Sequence, residues 1–109
     1  MRVYSEYSQG VLYLRLEGEL DHHTAAETLR SIEQLIDRYL PRKCALDLSS
    51  LTFMDSSGVA LFLRAQRRMR YSLGQLWLID PSEQSGRVLK ASGIERLIQI
   101  HYTESRKMR

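Results

Sequence analysis

The stretch Asp55-Ser56-Ser57-Gly58 lies between two segments with different patterns, and this arrangement restricts the fold more than any other feature. Residues 44–48 form a short apolar run, which is typical of a strand buried on both faces. Residues 59–71 repeat apolar side chains at helical spacing. The sequence therefore predicts a strand, a turn and a helix, with Asp55 or Ser56 capping the first N–H groups of that helix.

Eight segments with strand or helix patterns follow one another along the chain, and they alternate after an initial hairpin. Strands are predicted over residues 3–7, 11–17, 44–48, 75–79 and 97–102, and helices over residues 24–40, 59–71 and 80–92. Strands separated by helices pair in parallel through right-handed crossovers. We therefore expect an α/β protein of order β-β-α-β-α-β-α-β, with helices packed on a mixed, mostly parallel sheet.

Local signals predict where the helices begin and end. Thr24 and Glu27 have the spacing of a capping box, and Pro41 is expected to stop the first helix. Pro81 suits the first turn of the last helix, and Gly18 is expected to end the second strand. Gly93 is expected in the left-handed conformation that closes many helices.

Apolar spacing predicts the core. The expected stripes are Leu29, Ile32, Ile36 and Leu40 on the first helix, and Val59, Phe62, Ala65 and Met69 on the second. Cys44 is expected to be buried, because free cysteine behaves as a small hydrophobe, and Trp77 to be half-buried. Phe53 is expected under the turn. Met54 is expected at the surface, where an adaptable side chain can contact a partner.

Length, cysteine content and charge exclude several classes of protein. With 109 residues, the chain is expected to form one domain, residues 1–109, with a frayed tail over 103–109. No apolar run approaches the ~20 residues that span a bilayer, and no targeting segment is expected. The single cysteine fits a reducing cytoplasm. A net charge of +3 gives no argument for nucleic-acid binding.

Connectivity predicts a shared surface. The loops over residues 18–24 and 49–58 both follow parallel strands, so both reach the carboxyl edge of the sheet, where open α/β proteins usually place their sites. The polar side chains expected there are Asp21, His22, Thr24, Asp55, Ser56 and Ser57.

Catalysis by these residues is poorly supported. A Ser56 nucleophile with His22 as base would make a hydrolase, but Ser56 is not in a Gly-x-Ser-x-Gly elbow. Asp21, His22 and His23 are adjacent in sequence, so they would not converge on one metal ion. We expect neither an enzyme nor a cofactor. A phosphorylated serine fits better. The N–H groups at the start of a helix favour a phosphate, and a docking partner would meet that phosphate as new negative charge.

Residues 18–25, Gly-Glu-Leu-Asp-His-His-Thr-Ala, and 53–58, Phe-Met-Asp-Ser-Ser-Gly, resemble the STAS domain of sporulation anti-sigma factor antagonists, and so does the segment 89–94. The resemblance implies a STAS fold and a cytoplasmic protein that binds an anti-sigma factor, itself a serine kinase, and so releases a sigma factor. The kinase would phosphorylate Ser56 and a serine phosphatase would reverse this; no nucleic acid or membrane partner is expected. The implied docking residues are Asp21, His22, Thr24, Met54, Asp55, Ser57 and Gly58.

Two features stand apart from that resemblance. The family usually ends in a further helix, whereas only residues 103–109 follow the last predicted strand. The second helix carries Arg64, Arg67, Arg68 and Arg70, which form either a solvated face or a surface that attracts an acidic patch on the kinase. A STAS-type module in stress signalling or in a transporter-associated complex is the alternative function.

Overall fold

The computed structural model describes residues 1–103. Its elements are β1 (Arg2–Ser8), β2 (Val11–Leu20), α1 (Ala25–Tyr39), β3 (Lys43–Asp47), β4 (Leu51–Met54), α2 (Ser56–Tyr71), β5 (Gln75–Ile79), α3 (Glu83–Ser92), a 3₁₀ turn (Ile94–Arg96) and β6 (Gln99–His101). Of the predicted frayed tail, residues 104–109 lie outside this range. A bilayer-crossing helix would need more length and apolar character than any helix within residues 1–103 has.

One mixed sheet carries the helices. Its strand order is β1-β2-β3-β5-β6, and β4 lies off this path, beside the end of β2. The pair β1–β2 is antiparallel and the other pairs are parallel. Leu14, Leu46 and Leu78 stand in register across three adjacent strands and are fully buried. The predicted α/β architecture is confirmed.

The core lies between this sheet and the helices. Ile36, Phe62, Met69 and Cys44 are at most 1% exposed, so these four predictions are confirmed. Burial raises the pKa of the Cys44 thiol to about 12, so it stays neutral at physiological pH. Trp77 is half-buried, as predicted.

The prediction of one continuous loop over residues 49–58 is wrong. Residues 51–54 form β4, and β2 continues through Gly18 to pair with it. Gly18 has a φ of 118°, and the register shifts between Gly18 and Glu19. A glycine bulge bends a strand without ending it, so β2 pairs with β3 along its first half and with β4 along its last residues.

Several element ends also differ from prediction. Leu40 is 70% exposed, because a left-handed residue with φ 47° ends α1 there and turns the side chain out of the stripe. Pro81 precedes α3 instead of opening it, and Ser82 is the N-cap. Gly93 closes α3 with φ 73°, as predicted. The last strand is confined to Gln99–His101, because at the end of the 3₁₀ turn the N–H groups of Leu97 and Ile98 donate back to the Ile94 carbonyl.

A buried carboxylate interrupts the apolar pattern of β3. Asp47 is only 5% exposed, and the Tyr13 hydroxyl donates a hydrogen bond to it from β2. The Ser49 N–H and hydroxyl donate to the other carboxylate oxygen, over 2.9 and 2.7 Å. Burial raises the pKa of Tyr13 to about 12, and the hydrogen bond and charge of Asp47 add to the effect.

We predict that Tyr13→Phe lowers the free energy of unfolding by about 1–3 kcal/mol near neutral pH, because the buried carboxylate loses a donor. The folded-state pKa lies above the ordinary value of 10.0, so the neutral hydroxyl is the stabilising form. The difference between wild type and variant should therefore be complete below pH 10.0 and shrink towards pH 12. Urea denaturation across this range measures it, with the exposed Tyr4→Phe as control. A pH-independent difference would contradict the assignment.

Candidate functional site

The carboxyl ends of β2 and β4 bring the two predicted loops together. Leu20 stands in register with Met54, and the Asp55 N–H donates to the Leu20 carbonyl over 3.2 Å. The first loop, with Asp21 and His22, and the second, with Ser56, therefore start from adjacent positions. The predicted shared edge is present, although β4 creates it and the sequence analysis did not predict that strand.

Asp21 organises the first loop. Its carboxylate accepts hydrogen bonds from the N–H groups of His23 (2.9 Å) and Thr24 (3.2 Å). The Thr24 hydroxyl donates to the Glu19 carbonyl over 3.0 Å and accepts from the Asp21 N–H over 3.1 Å. The predicted capping box is wrong: Thr24 is the N-cap of α1 but makes no side-chain cap bond, because its hydroxyl is engaged within the loop.

The same bonds set the charge of Asp21. Burial raises its pKa, but the N–H groups of His23 and Thr24, the charge of His23 and the Thr24 hydroxyl outweigh that effect. The net pKa is lowered, so Asp21 is a carboxylate at physiological pH. The loop thus holds a fixed negative charge at the edge of the sheet.

Asp55 organises the second loop. It has an extended backbone, and its side chain accepts from the Ser57 N–H over 2.8 Å, which caps α2. The Gly58 N–H donates to the Asp55 carbonyl over 3.0 Å and closes the first turn. Of the two capping candidates, Asp55 is the cap, and Ser56 is the exposed first residue of α2. Ser57 is half-buried.

Two apolar predictions at this turn are reversed. Met54 is fully buried, and Phe53 is 42% exposed. A Cβ at Gly58 would lie 2.5 Å from Met54 Cγ and 3.1 Å from Leu20 Cδ2, so α2 begins in close contact with the strand ends. Met54 and Gly58 therefore support the turn from inside the core and do not offer side chains to a partner. Phe53 is the exposed apolar side chain that the sequence analysis placed wrongly.

Gln84 is a supporting residue that the sequence analysis did not identify. Its side-chain amide accepts from the Met54 N–H over 2.8 Å and donates to the Met54 carbonyl over 2.9 Å. These two hydrogen bonds from α3 satisfy the Met54 N–H and C=O groups, as a neighbouring strand would on that side of β4. No local pattern in the sequence distinguishes this glutamine from a solvated helix residue.

A groove between α1 and α2 leads away from the site. It has a volume of about 270 Å³, and its lining includes His22, Ser57 and Arg64. Arg64, Arg67 and Arg68 line one depression on α2, whereas Arg70 lies on another side of the helix. Arg68 is ion-paired with Asp37 of α1, whereas Arg64 and Arg67 are exposed. Only part of the predicted basic helix is therefore available to an acidic partner.

The histidines offer no assembled catalytic centre. The rings of His22 and His23 lie 3.9 Å apart between centroids, and both residues are exposed. His22 shares its groove with Ser57, the half-buried serine. Within residues 1–103, no cluster of histidine, cysteine and acidic side chains could hold a metal ion. The edge instead presents an exposed hydroxyl, Ser56, between the carboxylate-bearing loops of Asp21 and Asp55.

Comparison with known proteins assigns the family. A family model described as the STAS domain matches residues 3–106. The chain belongs to the STAS-domain family. It is 32% identical over 104 residues to the anti-sigma F factor antagonist of Paenibacillus polymyxa, covering 95% of this chain and 89% of that protein. This STAS protein therefore belongs to a family that includes anti-sigma factor antagonists, and the prediction that it is not an enzyme is confirmed by its family.

Solved structures agree with this assignment. The anti-sigma factor antagonist SpoIIAA in its unphosphorylated form matches with a TM-score of 0.77 and 29% identity, covering 98% of this chain and 93% of that chain. The Bacillus cell fate determinant SpoIIAA in the phosphorylated form gives a TM-score of 0.69 and 29% identity, covering 98% and 96%. The STAS fold expected from the sequence is confirmed.

We predict that Gly58→Ala lowers the free energy of unfolding by about 1–3 kcal/mol, because the new methyl group overpacks the junction of α2 with Met54 and Leu20. Gly86→Ala is the matched control. It lies within α3, and its nearest atom outside the helix is 3.8 Å away, so alanine there should be neutral or stabilise by up to about 1 kcal/mol. Urea denaturation measures both. Equal effects would contradict the close contact at Gly58.

Proposed function

We propose that this STAS protein is switched by phosphorylation of Ser56. The unphosphorylated form binds an anti-sigma factor that is also a serine kinase, and this binding releases a sporulation sigma factor in the cytoplasm. Phosphorylation of Ser56 ends the complex, and a serine phosphatase restores the binding form. The observation that carries the proposal is the position of Ser56, an exposed hydroxyl at the first residue of α2, directly after a fixed cap.

The local geometry favours Ser56 over Ser57 as the acceptor. A kinase must bring the hydroxyl to the γ-phosphate of ATP, which requires an accessible oxygen. Ser56 is exposed, whereas Ser57 is half-buried, lines the groove and donates its N–H to Asp55. Ser57 therefore supports the turn, and Ser56 is free to be modified without breaking the cap.

The charges around Ser56 explain how a phosphate could act without unfolding the turn. The start of α2 has no acidic residue in its first turn, and its N–H groups and dipole favour an anion. The phosphate brings about −1.5 to −2 charges close to the carboxylate of Asp55. A partner that docks against this edge would meet that charge added to those of Asp55 and Asp21, so binding weakens by electrostatics.

The docking surface in this proposal combines the rims of both loops. It comprises Asp21, His22, Thr24, Phe53, Asp55 and Ser57 around Ser56. Thr24 acts through the loop that it holds, and Phe53 adds an apolar contact. Arg64 extends the surface along the groove, and Arg67 lies with Arg64 in a neighbouring depression. Both suit an acidic region of the partner. The names of the relatives support an anti-sigma factor as that partner.

We predict that incubation with the cognate kinase and ATP adds one phosphate to the protein, and that Ser56→Ala abolishes it. Ser57→Ala is the matched control and should still be phosphorylated, since it leaves the exposed hydroxyl in place. Intact-protein and peptide mass spectrometry give the number and position of phosphates. Phosphate on Ser57 would show that Ser57, and not Ser56, is the acceptor. Phosphate on neither serine would favour the alternative of a STAS-type module in another complex.

We predict that Ser56→Asp weakens binding to the anti-sigma factor by at least about tenfold, because it places a carboxylate beside Asp55 within the interface. Ser56→Asn is the control, since it has nearly the same size without the charge and should bind within about threefold of wild type. Calorimetry or surface plasmon resonance measures both affinities. Equal affinities of the two variants would show that charge does not operate the switch.

A further inference from the structure

The first strand leaves one edge of the sheet open. Within residues 1–103, β1 pairs only with β2, and it spans seven residues, Arg2–Ser8. It contains neither proline nor lysine, and its register with β2 has no bulge. Such features usually protect an edge from pairing with another chain. The charged side chains of this strand, Arg2 and Glu6, have opposite signs, so the edge can accept a further strand of complementary charge.

The turn of the hairpin determines which backbone groups face that edge. Gln9 and Gly10 both have positive φ, 53° and 82°, and they join Ser8 to its partner Val11. In a hairpin closed by two such residues, the flanking pair exchanges hydrogen bonds, and bonded pairs then alternate along the ladder. The N–H and C=O groups of Val3, Ser5 and Tyr7 consequently point to the open edge.

The side chains of this segment complement a second copy of it. We propose that two molecules pair through β1 in an antiparallel, two-fold symmetric arrangement. Arg2 lies opposite the partner's Glu6, and Tyr4 lies opposite the partner's Tyr4 on the symmetry axis. Met1 lies opposite the partner's Tyr7. A contact in which the same surface serves both subunits is the usual form of a homodimer.

Hydrogen bonding and charge together select this register. Residues whose N–H and C=O groups point to the open edge must lie opposite one another across the interface, so odd-numbered residues of β1 pair with odd-numbered ones. Alternative registers therefore differ by steps of two residues. A register shifted by two residues in one direction sets Arg2 opposite the partner's Tyr4 and leaves no residue opposite Glu6. The same shift in the other direction sets Arg2 opposite the partner's Ser8. Only the proposed register places opposite charges directly across from each other, where they stabilise a strand pair.

The apolar side chains fit the same register. Met1, Tyr4 and Tyr7 are 39%, 38% and 42% exposed, so they are large apolar groups at the surface of the monomer. The Tyr7 ring is stacked on Tyr39 of α1 with centroids 4.9 Å apart, which holds it at the edge. In the dimer, each of these groups gains an apolar neighbour. The contact uses none of the residues that surround Ser56, so it is independent of the proposed switch.

Charge reversal tests the pairing. Sedimentation equilibrium of the wild-type protein should show a reversible dimer, weakened about tenfold in Arg2→Glu and in Glu6→Arg, because each change places like charges opposite each other twice per dimer. The double variant Arg2→Glu/Glu6→Arg should associate about tenfold more tightly than Arg2→Glu, which shares with it the contact of residue 2 with Glu17 in the same chain. Arg96→Glu, at an exposed position on the 3₁₀ turn, is the control and should change nothing. A monomer at every soluble concentration, or a double variant that is not rescued, would overturn the proposal.

Cysteine cross-linking tests the register. On the axis, Tyr4→Cys would face the partner's identical residue as a non-hydrogen-bonded pair, about 4.5 Å apart between Cα atoms, which a disulfide can bridge. Ser5→Cys would lie about 8 Å from its counterpart, beyond disulfide reach. Native Cys44 is buried and does not interfere. Mild oxidation should therefore give a covalent dimer of Tyr4→Cys alone. Faster cross-linking of Ser5→Cys would overturn the register.

Discussion

The structure of the site depends on one backbone hydrogen bond, from the Asp55 N–H to the Leu20 carbonyl. It follows the bulge at Gly18, beyond which β2 pairs with β4 and no longer with β3. The bond fixes the residue before Asp21 against the cap of α2. Two loops that are more than thirty residues apart in sequence thereby become one surface. Without the bulge at Gly18, β2 would end beside β3 and Asp21 would have no fixed relation to Ser56.

The sequence predicts most of the fold because its periodic segments are long. The stripe with Phe62 and Met69 repeats over about three turns, and such a pattern has few alternative interpretations. β4 has four residues and no alternation, with Leu51 and Met54 buried and the two residues between them exposed. A segment of this kind gains its structure from its neighbours, β2 on one side and Gln84 on the other. Periodicity in its own sequence cannot predict that pairing.

The site was predicted in its position and only partly in its contacts. Connectivity placed Asp21 and Ser56 at one edge, since that follows from parallel pairing alone. The capping box failed because Thr24 had a competing acceptor, the Glu19 carbonyl, which becomes available only when β2 extends to Leu20. The predictions that Met54 is exposed and Phe53 buried were wrong for the same reason, namely that the pairing of β2 with β4 was not predicted. Which side of a strand faces the core depends on the partner it pairs with.

The division of roles at the turn bears on how a charge switch can work. Asp55 and Gln84 hold the backbone on both sides of Ser56, and neither contact involves the Ser56 hydroxyl. Modification of that hydroxyl therefore need not rearrange the turn. A phosphate would instead add charge to a surface whose shape is already fixed and that also carries Asp21, a carboxylate whose pKa is lowered by its hydrogen bonds. In such a design the signal lies in the electrostatic potential that a partner meets, while Asp55 and Gln84 set the shape of the turn that carries it.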